Sequence, residues 1–346
     1  MLPLGLLLAV PLPLAGQVRV ERFGVVMGTE LRVEVAGADR SEALAAAEAA
    51  LREIEQMDAL LTTWNPGSPM SALNRAQVGT PTRTDAKLIA LLGEAERWAA
   101  HTGRAFDPTI GPLIDAWGLR RGGARPDSAG LAAARAAVGA HAFRVDAERG
   151  ALTRLHPAAW IDTGAFGKGA ALRSARDSLR ARGVRSALLD LGGQLLALGR
   201  DGVTGGPWRI RVAHPARRRE PVATLLLTEV SVATSGNSER AAAVDGEPIA
   251  HLIDARTGRP APVWGSVTVV GPDPLVADVL SSALYVMGPA AGLAWVEALG
   301  EAAGPVGALF LVERDGALVP CWNATMERWL DPSFTAAAPA RGRSCS

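Results

Sequence analysis

Asp278 and Ser282 stand four residues apart in "ADVLSSALYVMG", residues 277–288, a segment that otherwise has the apolar content of a buried helix. At that spacing the two side chains lie one turn apart on a helix. A carboxylate and a hydroxyl so placed offer two oxygens to one hard cation, a donor set that suits Mg²⁺ completed by waters and phosphate oxygens. The same spacing also fits a solvated face, with Val279, Leu280, Ala283, Leu284 and Met287 turned to the core and Asp278, Ser281, Ser282 and Tyr285 to water. Asp273 before Pro274 reads as N-cap and first turn, and Gly288 before Pro289 as the stop.

Three other stretches have the chemistry to meet an anionic ligand. In "WIDTGAFGKGAALRSARDSLRARG", residues 160–183, an apolar strand end passes through a glycine-punctuated turn into a helix that ends at Gly183. Such a turn presents backbone amides and a helix N-terminus to phosphate, with Lys168 to neutralise it. "GAFGKG" has neither the GxxxxGK[ST] spacing of a Walker loop nor the GxGxxG of a dinucleotide fold. The hydroxyls of "SVATSGNSER", residues 231–240, can bond a polyol or phosphate, or simply build an ST-turn. "AHLIDARTGRP", residues 250–260, carries His251, whose ring can take a proton near neutral pH beside a bound phosphate.

The elements that must hold these groups are legible from periodicity. "VRVERF" and "TELRVEV" alternate around Gly24–Gly28 as a half-exposed hairpin. A helix follows, with Ser41 as its cap and a stripe of Leu44, Ala47, Leu51, Ile54 and Leu61 that only Asp58 interrupts. A second helix runs from about Thr84 to His101, with Gly103 at its end. Downstream, "RSALLDL", "QLLALG", "WRIRVAH", "ATLLLTE", "SVAT", "IAHLID" and "WGSVTVV" are short β-like runs joined by turns too tight for βαβ crossovers. The pattern predicts an α+β fold, a largely antiparallel mixed sheet packed with helices, in two intimately associated lobes.

Composition bounds the partners. The chain has 346 residues, and its 36 Lys and Arg nearly cancel 35 Asp and Glu, so no basic excess points to nucleic acid or an anionic membrane surface. The first sixteen residues are apolar, uncharged and too short for a transmembrane span; they resemble a signal peptide, so the chain is expected to be exported, most simply to a periplasm. "LAGQ" has Gln17 where a lipoprotein would carry its lipidated Cys, which leaves a lipid anchor unsupported and any proximity to a membrane peripheral. Residues 17–331 form the folded domain, and 332–346 read as a loose tail. Cys321 and Cys345 can close a tail loop in an oxidising compartment or stay free; neither has zinc-site spacing.

Taken in order, "MGTELRVEV", "LTTWNPGSPMSALN", "FDPTIGPLIDAWG", "IDTGAFGKGAA", "LLDLGGQLLALG", "SVATSG", "HLIDARTGRP" and "SVTVVGPDPLVADVLSSALYVMG" resemble the ApbE family from about Met27 to Gly288. That family consists of Mg²⁺-dependent FAD:protein FMN transferases, which move FMN from FAD onto a threonine of an acceptor flavoprotein and release AMP. The resemblance implies a metal site at the carbonyl of Ala165 and the side chains of Asp278 and Ser282. It implies FAD contacts at Met27, Trp64, Asp107, Asp162, Lys168 and Ile253, with His251 as base. Ser282 stands where Thr is usual, "FGKG" replaces Ile-Ala-Lys-Gly, and Asp190 and Gln194 replace Asn and Asp. Two alternatives remain: the same site with water as nucleophile, an FAD pyrophosphatase giving FMN and AMP, and an exported FAD-binding protein without turnover.

Overall fold

The structure, a computed structural model, describes residues 18–236, 242–244, 247–300, 303–337 and 345. The signal-like leader, the loop end at 237–240 and most of the tail beyond 337 lie outside these residues.

Eight strands form the main sheet: β1 (Val18–Val26), β2 (Thr29–Gly37), β3 (Ser186–Leu191), β4 (Gln194–Gly199), β5 (Val230–Gly236), β6 (Gly265–Gly271), β7 (Gly307–Arg314) and β8 (Ala317–Trp322). They lie side by side in chain order, and every neighbouring pair is antiparallel, so the sheet is not mixed. The expected "IAHLID" strand is broken in two: Ile249 ends a short strand, Glu247–Ile249, paired with Ala242–Val244, and Ile253–Asp254 pairs with Arg259–Pro260. "WID" is not a strand either: Ile161 gives its N–H to the Asn74 side chain at 2.8 Å and accepts from it at 2.9 Å, so one amide stands in for a partner strand.

Four helices position the site: α1 (Arg40–Leu61), α2 (Ala86–His101), α3 (Gly167–Ala181) and α4 (Pro274–Met287). The cap of α1 is Asp39 rather than Ser41; Asp39 is extended at φ −135° and accepts from Glu42 N at 2.9 Å, leaving Ser41 inside the first turn. Asp273 caps α4 as expected, and Gly288 ends it at φ 81°. One hydrophobic cluster joins the helices, the inner face of the main sheet and Leu152 of a small three-stranded sheet, so the two lobes share a core. Alternation along the strands feeds a second core: Phe310 faces the helices, while Leu309 and Leu311 pack under a hairpin of Trp208–Ala213 and Pro221–Leu227.

α4 departs most from its amphipathic reading. It is buried from Pro274 to Val286, with Asp278 at 5%, Ser282 at 7% and Tyr285 at 0% exposure, so its polar face is not a solvated surface but packs into protein, with Asp278 and Ser282 at the wall of a cleft. Arg173 of α3 explains part of this packing. Its guanidinium pairs with Glu94 of α2 at 2.6 and 2.8 Å and with the capping Asp273 of α4 at 2.7 Å, which ties three helices at one point.

The tail is less free than its composition suggests. Pro332–Ala337 is helical, and Cys345 is buried and disulfide-bonded to Cys321 of β8 across a separation of 24 residues. A bridge closing a loop of that size stabilises by about 3 kcal/mol through the unfolded chain. Reduction, or Cys345→Ser, is therefore expected to lower the urea midpoint, and any change in denaturant slope is expected to be a rise, because the unfolded chain is then less constrained; an unchanged midpoint would remove any stabilising role from the bridge.

Candidate functional site

Between the β1–β2 hairpin, the N-terminus of α3, α4 and the 250–260 loop lies a cleft of about 1900 Å³. All ten residues singled out from the sequence line it: Met27, Trp64, Asp107, Asp162, Ala165, Lys168, His251, Ile253, Asp278 and Ser282.

The centre is the junction of α3 and α4. α3 starts without a cap of its own, because Phe166 at the N-cap has no side-chain acceptor. The carboxylate of Asp278 supplies one from 109 residues away, accepting the Gly169 N–H at 2.8 Å. A β-carbon on Gly169 would sit 2.5 Å from the Pro274 carbonyl and 2.8 Å from the Asp278 β-carbon, so only glycine permits this approach. Burial pushes the Asp278 carboxyl above the usual carboxylate range; the charge of Lys168 and the Gly169 N–H oppose that rise. Ser282 follows one turn along α4, and the half-buried Ala165 lies in the turn that leads into α3. Ser281 completes the anchoring, donating to the Asp278 carbonyl at 2.9 Å and bonding Ser235 of β5 at 2.9 Å.

These donors fit a hard divalent cation. They comprise one carboxylate, one hydroxyl and one carbonyl, all oxygen, with a buried carboxylate whose charge Lys168 partly offsets. Among the described residues no group of three His, Cys, Asp or Glu side chains gathers, so a cation here would draw much of its coordination from waters or ligand phosphates.

The walls are built by polar groups already committed to the protein. Asp107 accepts from Arg104 at 2.9 Å through one oxygen and from the Thr109 N–H and hydroxyl at 2.8 and 2.6 Å through the other, so it shapes the "FDPT" turn. Asp162 accepts from the Gly164 N–H at 2.8 Å and from Arg120 at 2.7 Å. Met27, at φ 53° beside Gly28 at φ 70°, forms the two-residue hairpin turn and donates its N–H to Asp58 at 3.2 Å. Ile253 is packed with Leu113 and Trp117, whose indole donates to the Gly258 carbonyl at 2.8 Å and pins the loop that carries the half-buried His251.

Two residues of the cleft escaped the sequence reading. Asp58 was visible as the lone acid in the stripe of α1, and it holds the Met27 turn. Arg120 carried no signal at all in "GLRRGG". Its guanidinium lies 4.5 Å from the ring centres of both Trp64 and Trp160, and it also donates to Thr63 and Asp162 at 2.7 Å. Trp64 is thereby held although 72% exposed.

An antiparallel sheet with an oxygen-donor pocket where the start of α3 meets α4, opening into a cleft of about 1900 Å³, defines a class of ligand-binding α+β protein. Residues 27–304 match the model of the ApbE family, and the chain belongs to that family. It is 29% identical over 318 residues to an FAD:protein FMN transferase of Klebsiella pneumoniae, covering 90% of this chain and 87% of the relative. It is 30% identical to one of Haemophilus influenzae, covering 77% and 80%. Among solved structures, the apo flavinyl transferase ApbE of Pseudomonas stutzeri superposes with a TM-score of 0.80 at 27% identity, covering 92% of this chain and 98% of that one. The flavin transferase ApbE of Vibrio cholerae gives 0.79 at 26% identity, covering 91% and 100%.

The Gly169 contact generates a test. Gly169→Ala is expected to lose about 2 kcal/mol of stability by overpacking, whereas Gly167→Ala, whose added carbon meets nothing nearer than 3.8 Å, is expected to be tolerated. Equal urea midpoints for the two variants would deny that α3 and α4 are held at closest approach here.

Proposed function

We propose that this chain transfers FMN from FAD to a threonine hydroxyl of an acceptor flavoprotein and releases AMP, in a reaction that requires Mg²⁺. The observation that carries the reading is the convergence of Asp278, Ser282 and Ala165 with Lys168 and His251 on one cleft in a member of this family.

Asp278, Ser282 and the Ala165 carbonyl would hold the magnesium, which when bound offsets the negative charge that builds on the diphosphate. Lys168 adds a second positive charge on the same wall, and the N-terminal turn of α3 contributes its dipole. The exposed face of Trp64, backed by Arg120, offers a stacking surface for an aromatic ring of FAD. His251 takes the proton from the threonine oxygen as that oxygen attacks the phosphorus on the FMN side. The bond to the bridging oxygen breaks, AMP leaves with that oxygen, and a threonyl–FMN phosphodiester remains, so atoms and charge balance. Water entering in place of threonine would give FMN and AMP, so what excludes water at the mouth decides between transfer and hydrolysis.

The proposed location is outside the cytoplasm. The apolar leader and the Cys321–Cys345 disulfide support it, and no helix among the described residues is long and apolar enough to cross a membrane.

Mixing the protein with FAD, Mg²⁺ and an acceptor flavoprotein domain is expected to leave flavin on the acceptor after denaturation, with one AMP per flavin. AMP without bound flavin would favour the pyrophosphatase, and FAD binding without AMP a non-catalytic role. Asp278→Ala is expected to cut turnover roughly 10³-fold, as loss of several kcal/mol of charge stabilisation requires; retention of activity would reject the metal assignment. Arg120→Ala should weaken FAD binding about tenfold, near the upper range for a desolvated cation–π contact, while kcat changes less. Fluorescence titration of FAD checks this, and unaltered affinity would separate Arg120 from the stacking surface.

A further inference from the structure

Strand β1 is the terminal strand of the main sheet, and among the described residues no other strand pairs with its outer edge. The turn at Met27–Gly28 determines which groups face that edge. Val26 and Thr29 flank a two-residue turn and are a hydrogen-bonded pair, so Val26, Gly24 and Arg22 direct their N–H and C=O groups to β2, while Val25, Phe23 and Glu21 direct theirs outward. The outward carbonyl of Glu21 is already taken by the Arg22 guanidinium at 3.0 Å, which closes the edge at that point. Phe23–Val25 is the open stretch.

The side chains agree with the backbone. Phe23 is 71% exposed and Val25 80%, and both line the cleft, as does Trp64. Natural sheets guard their edges with charge, proline or a bulge, because a bare apolar edge recruits other chains. β1 carries charges at Arg19, Glu21 and Arg22 and none from Phe23 to Val26. The unguarded part of the edge is therefore the part that opens onto the cleft.

We propose that the Phe23–Val25 edge receives an extended segment of the acceptor flavoprotein as an added strand, with apolar side chains near its threonine resting on Phe23 and Val25. This rests on the flavin-transfer reading. The occupant follows from continuity with the cleft and from its volume. At about 1900 Å³ it exceeds the roughly 300–1,000 Å³ that hold an ordinary small ligand, which leaves room for a peptide beside a dinucleotide. Main-chain pairing supplies the affinity and alternate side chains the register, so the threonine is brought to a set position along the strand.

The test uses the full chain with an acceptor domain whose threonine is replaced by alanine, so that binding is observed without reaction. Saturating acceptor is expected to slow amide exchange at Phe23 and Val25 by about tenfold or more, as formation of strand hydrogen bonds requires. Val25→Pro removes only an outward N–H, which edge strands tolerate, and Phe23→Lys places a charge on the open edge. Both should raise the acceptor KM about tenfold, the scale of losing one interface contact, with the Kd for FAD unchanged. Unchanged exchange together with unchanged KM would overturn the proposal. Protection that appears without acceptor and tracks a dimer in sedimentation would overturn it in favour of a second copy of this chain. Exchange reports binding alone, so it decides docking even if no flavin is transferred, whereas failed transfer onto an intact acceptor counts against the proposed function.

Discussion

The hydrogen bond from Gly169 to Asp278 governs the rest of the site. α3 begins at a residue that cannot cap it, and a helix start buried without partners is costly. α4 solves this by driving a carboxylate into the gap, which requires the backbones to approach so closely that residue 169 has no side chain. Once Asp278 is committed there, Ser282 is aligned by helical spacing, and Lys168, the neighbour of Gly169, shares the cleft wall. The Arg173 node prevents the two helices from sliding, since it bonds the residue that caps α4.

The same arrangement explains a carboxylate kept in an unfavourable environment. Burial raises the Asp278 carboxyl, and one N–H bond with one nearby lysine opposes that only partly. Structural economy would favour an amide or an apolar residue at this position. In the proposed function, a cation bound between this acid and the neighbouring hydroxyl would supply the compensation that the protein's own groups do not.

Much of this was legible in the chain. The bounds of α4 followed from Asp273, Pro274 and Gly288, and the antiparallel preference followed from the short turns between β-like runs. The residues carried over by resemblance all fall on one cleft. What escaped was pairing over distance. Periodicity marks a polar helix face but not whether it meets water or another helix's orphan amides, so α4 read as half-solvated. Ser41 and Asp39 are both good caps, and only the backbone torsion of Asp39 decides between them. Arg120 acts through Trp64 and Trp160, residues 56 and 40 positions away, with no local pattern to announce it. Strands β7 and β8 flank an Asp-Gly turn that the sequence reading passed over, although Asp315 and Gly316 adopt the left-handed conformations such a turn needs.

The departures from the family pattern look different once packing is considered. Serine at 282 lacks the methyl group that restricts threonine, and in isolation its hydroxyl would sample more rotamers. Yet Ser282, at the cleft wall, is only 7% exposed on a helix buried from Pro274 to Val286, so its neighbours supply a restriction that its own covalent structure does not. Phe166 is fully buried and meets Phe106 edge to face at 6.2 Å, which locks the turn before α3 against the residue preceding Asp107. The larger residue thus joins the turn that carries the Ala165 carbonyl to the wall that carries Asp107. Pre-positioning that a threonine would supply at one residue is here spread over the contacts of two buried segments.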